Sequence, residues 1–186
     1  MTDSEYIAWD DARLLREKSR KKWFLSLGCL AGCMSCCCMV TWPIWPSAHS
    51  HAKKMAAFND VKELALSASM YAYDFDDHLP HAATWMDEVS GYVQNGSSQN
   101  MFHSPALSGS DEFGFAFRRT LSAKQTPDID RPDVTAMIFD SIDTRWNANG
   151  GLDLLPRPGR YESFNVAAFV DGNVKAARDG ATNSWR

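Results

Sequence analysis

The sequence predicts an α+β protein: one transmembrane helix, then a long helix packed on a small antiparallel sheet. Three observations carry that prediction. No residue from Trp23 to Trp45 is charged. From Ala52 to Tyr73, apolar residues recur at helical spacing. From Phe113 onward, short apolar runs alternate with turns bearing Gly, Pro and Asp, as strands do.

Residues 1–22 are polar and end in a basic cluster that includes Arg20, Lys21 and Lys22. The uncharged stretch that follows is about 23 residues long, and roughly 20 helical residues cross a bilayer core. Trp23 at one end and Trp42 and Trp45 at the other bracket it, as aromatic side chains do at a membrane interface. The basic flank predicts a cytoplasmic N-terminus and a domain outside the cytoplasmic membrane. The expected organisation is therefore a cytoplasmic tail (1–22), a span (23–45), an extracytoplasmic domain (46–180) and a short C-terminal tail (181–186). Gly28, Gly32, Ser35 and Cys36 share a small-residue face, which lets a second helix approach closely in lipid.

All five cysteines lie between Cys29 and Cys38, so no disulfide framework can staple the domain. In an uncharged run without histidine they read as small apolar helix residues rather than as a zinc site. Leu30-Ala31-Gly32-Cys33 also reads as a lipoprotein box, with cleavage before Cys33 and lipid added there. The apolar stretch continues well past Cys33, which favours an uncut anchor.

Pro43 and Pro46 predict a break after the span. In the next helix Met55, Phe58, Val61, Leu64, Ala65, Ala68, Tyr71 and Ala72 form one face. The acidic turn Asp74 to His78, closed by Leu79-Pro80, ends it. A shorter helix is expected around Thr84 to Val93, then a loop at Asn95 to Ser98. Phe113 to Arg118 alternates large and small residues. Val134 to Phe139, ending at Asp140, suits a central strand. Asn165 to Val170 and Asn173 to Ala176 flank Asp171-Gly172, a hairpin signal. Asn147 to Gly159 reads as a connection rich in Pro and Gly. The long helix supplies the cover that the sheet's apolar face needs.

These blocks, in this order, resemble pilin-like, pseudopilin-derived proteins of planctomycetes and related bacteria. The likeness spans about residues 40–178. It rests on Asp60 to Leu64, Met70 to Pro80, Tyr92-Val93, Phe102-His103-Ser104-Pro105, Phe113-Gly114-Phe115, the strand ending at Asp140, and Asn165 to Lys175. The resemblance implies a His ten residues before Asp171, where this chain has Tyr161, and a Cys where it has Ser104. It also implies a Gly-Phe cleavage site and an assembly Glu; those places hold Lys21, Lys22 and Ser26. The likeness therefore implies a pilin-like fold reused as a fixed membrane subunit.

A net charge of −4 gives no reason to expect nucleic acid, which wants a basic face. Asp74, Asp76 and Asp77 are the best candidate metal ligands. Hard cations such as calcium favour clustered carboxylates, although the loop lacks the glycine and terminal Glu of a 12-residue calcium loop. No cofactor is otherwise expected. No nucleophile elbow or phosphate loop appears in the sequence. The expected function is that of a non-catalytic subunit of a membrane complex, such as a respiratory or photosynthetic assembly. Its expected partners are other membrane subunits and the bilayer. A secretion or pilus pseudopilin, or a lipoprotein lipidated at Cys33, is the alternative.

Overall fold

The computed structural model describes residues 45–93 and 100–185. The expected span, its small-residue face (Gly28, Gly32, Ser35, Cys36), the interface residues Trp23, Trp42, Lys21 and Lys22, Cys33 and the loop at 95–98 lie outside the described residues. Among the described residues no helix is long and apolar enough to cross a membrane. Residues from His49 onward form one compact α+β unit.

The long helix α1 runs Trp45–Asp74. It begins earlier than the sequence predicts and includes Pro46. Ala57, Val61, Leu64, Ala65, Ala68, Tyr71 and Ala72 are buried on one face. The predicted face holds except at Met55, which is 56% exposed. The helix ends as predicted at the acidic turn. The Asp77 amide donates to the Ala72 carbonyl at 2.8 Å, and Asp76 takes the left-handed conformation (φ 51°) that such a C-terminal cap requires.

Helix α2 (Trp85–Ser90) is shorter than expected. The strands are β1 (Phe115–Arg118), β2 (Ala136–Asp140), β3 (Asn149–Gly150), β4 (Phe164–Phe169) and β5 (Val174–Arg178). Their order is β3-β1-β2-β4-β5, so β2 is central, as its uninterrupted apolar run suggests. The sheet is mixed rather than antiparallel, because β3 pairs parallel to β1. Strand β3 is two residues long and lies inside the stretch that reads as a connection. Two residues carry no periodicity, so only the tertiary contact with β1 defines it. The β4–β5 hairpin turns through Val170, Asp171 and Gly172. Gly172 (φ 82°) holds the left-handed third position, and its amide donates to the Phe169 carbonyl at 2.9 Å.

Both faces of the sheet are buried, where the sequence reading expects a single cover. Phe115, Phe117, Ile138, Val166 and Ala168 join the α1 face and Trp85 in one core. Ala116, Phe139, Ala167 and Phe169 pack on the other side with Leu155 and Trp185. A bulge between Ala136 and Ile138 turns Met137 toward the α1 core as well. Residues 181–185, read from sequence as part of a tail, form a turn that sets buried Trp185 edge-on to Phe169, ring centres 5.7 Å apart.

Candidate functional site

The outward side of α1 carries large apolar side chains in water: Leu66 is 55% exposed, Met70 38% and Tyr73 84%. Residues 66, 70 and 73 follow helical spacing and therefore form one row. Beside the row lies a groove of about 430 Å³ lined by Asn59, Lys62, Leu66, Ser69, Tyr92 and Gly172. A second hollow of about 240 Å³ shares Ser69 and Tyr92 and adds Met70, Tyr73 and Asp74. The Tyr92 hydroxyl donates to Asp74 Oδ2 at 2.9 Å, tying the end of α2 to the end of α1.

That bond occupies one of the three candidate metal ligands. Asp76 and Asp77 both take positive φ in the turn. The Asp77 carbonyl accepts the Thr126 amide at 2.9 Å, and Leu79 donates to the Lys124 carbonyl, so the turn is laced to the segment after β1. Among the described residues no group of three His, Cys, Asp or Glu side chains gathers closely enough to hold a metal ion.

A second set of polar groups is sealed inside the fold. Asp140 closes β2, and its Oδ2 accepts the Val166 amide at 2.6 Å. The ladder pairs Phe139 with Ala167, so this carboxylate takes the next β4 amide in place of a backbone carbonyl. Burial pushes the Asp140 carboxyl up to about 7, against the opposing pull of the Val166 amide and the Arg160 guanidinium. Arg160 donates to the Ser141 carbonyl, and buried Ser104 and Tyr161 share a hydrogen bond of 2.8 Å. Burial raises the Tyr161 phenol well above its ordinary range, so it remains a neutral hydroxyl. Asp140 is fully buried and touches no solvent. Its chemistry therefore acts on the fold.

At the start of α2, Asn147 Oδ1 accepts the Met86 amide at 2.8 Å, while its Nδ2 donates to Asp87 at 2.6 Å. Asn147 sits at φ 57°, a conformation asparagine adopts more readily than most residues. The Trp85 indole donates to the Ala148 carbonyl at 3.0 Å. Sequence reasoning missed these roles. The available signal for Asp140 was a lone carboxylate ending an otherwise apolar strand.

No family model matches the chain, and no curated protein or solved structure matches it either.

Proposed function

We propose that this chain is a pilin-like, single-span envelope protein. Its folded unit serves as a non-catalytic docking module in a larger membrane complex, for example an energy-transducing or photosynthetic assembly. The observation that carries the reading is the row Leu66, Met70 and Tyr73 beside the groove on α1. Single exposed apolar residues are ordinary, but a contiguous row flanked by a groove marks a contact surface. In sequence, the helix bearing this row directly follows the uncharged stretch 23–45, which would hold the module near other membrane subunits.

Purification of the full chain in mild detergent tests the reading. The expected result is a stable complex larger than the 20.8 kDa protomer, containing an uncut chain by intact mass. A lone monomer overturns the docking role. Cleavage near Lys22 replaces it with a pseudopilin, and cleavage before Cys33 with added lipid replaces it with a lipoprotein.

A further inference from the structure

A cleft of about 220 Å³ lies where β1 leaves the sheet and β2 enters it. Arg118, the last residue of β1, lines it with Thr120, Lys124, Asp130 and Arg131. Leu121 and Ile129 also line it. The cations there differ in their commitments. Arg131 is held in a two-bond pair by Asp133, with contacts of 3.1 and 3.2 Å. Among the described residues, Arg118 is held only by a 3.3 Å bond from Nε to the Thr120 hydroxyl, and its buried Nη1 has no partner. Among the described residues neither Arg118 nor Lys124 makes an ion pair, although Asp130 lines the same cleft.

A guanidinium stays charged at any physiological pH, so half-burying it without a counter-charge is unfavourable. With Nε bonded to Thr120 and Nη1 sealed from solvent, the guanidinium meets an anion there chiefly through its charge. Lys124 supplies a second positive charge without geometric demands. The Thr120 hydroxyl accepts from Arg118, which leaves its own hydrogen to donate. Apolar walls lower the local dielectric and strengthen each of these interactions.

We propose that this cleft binds a small oxyanion, a phosphate or carboxylate group, between Arg118 and Lys124. The assignment is independent of how the chain is anchored. Asp130 acts as a competing carboxylate that keeps the empty cleft from attracting anions indiscriminately.

The test is isothermal titration of the full chain in detergent with inorganic phosphate and, separately, acetate, at ionic strength held constant with chloride. The expected result is saturable binding with a Kd on the order of 1 mM. Saturation by phosphate alone assigns the cleft to phosphoryl groups, and saturation by both extends it to carboxylates. K124Q, at an exposed side chain, should weaken binding at least about fivefold, as should R118Q. D130N should tighten it by roughly two- to fivefold. Absence of saturation with both anions overturns the proposal. So does wild-type affinity in both R118Q and K124Q, or an unchanged affinity in D130N.

Discussion

Tyr161 Oη lies 2.8 Å from Ser104 Oγ, and both residues are buried. The two residues are 57 positions apart in the sequence and meet only in the fold. Either hydroxyl alone would be a buried polar group without a partner, whereas together they satisfy each other.

Removing both hydroxyls should cost less than the two single removals added together. S104A and Y161F are each expected to destabilise by about 1–3 kcal/mol, the cost of an orphaned buried group. The double variant should cost clearly less than the sum. Urea unfolding of the four proteins measures this, and strict additivity would show that the contact is not a coupled pair.

Stability should depend on pH through Asp140. Its carboxyl is pushed up to about 7 in the folded protein, above the ordinary value of about 4. The folded form therefore binds the proton more tightly than the unfolded chain. The stability it contributes is fully present below about pH 4 and is lost as pH rises through about 7. Asp60, raised to about 6 by burial and by nearby Glu63, acts with the same sign over an overlapping window. Melting temperatures of D140N between pH 4 and 7 should fall less steeply than those of the wild type, and D60N/D140N less steeply still. An identical slope in D140N would refute the assignment.

Trp85 should be the costliest single truncation. It is fully buried, packs against Phe102 and Phe117, and holds the Ala148 carbonyl. W85A should lose about 3–5 kcal/mol. W85F keeps most of the packing and removes one of two bonds to the Ala148 carbonyl, which still accepts the Phe117 amide at 3.0 Å, and should lose only about 0.5–1.5 kcal/mol. Chemical denaturation ranks the two.

G159A should destabilise by about 1–3 kcal/mol, because crowding must be relieved by backbone movement. A methyl group there would sit 2.5 Å from the Phe164 backbone carbonyl carbon. Wild-type unfolding by G159A would show that the two segments separate freely.

L66E and M70E should leave the fold intact and disturb association. Surface substitutions typically change stability by no more than about 0.5 kcal/mol, while a charge in an apolar contact weakens docking. The readout is the size of the detergent-purified complex beside the melting temperature. Unchanged size with both charges present would remove this row from the interface.

Several elements were legible because they obey a local period or carry a local stop. Val61, Leu64, Ala65 and Ala68 recur at helical spacing and are buried. The acidic turn ends α1, and Asp171-Gly172 turns the last hairpin. Met55 was misread for the same reason. Periodicity reports which residues share a face, but burial also needs a neighbour at that height along the helix. Of the candidate site, Asp74 and Tyr92 were both named from sequence, but their pairing was not, because the two are 18 residues apart.

The sequence by itself determined the α+β class, the central strand, the hairpin and the uncharged stretch ahead of α1, since each depends on residues within a few positions of one another. Only the tertiary structure decided that β3 joins the sheet in parallel, that Trp185 covers its second face, and that Asp140 takes a strand amide. Those outcomes depend on which distant groups meet when water is excluded. A buried polar or apolar group is satisfied by whatever the fold brings to it, and no spacing along the chain records that partner.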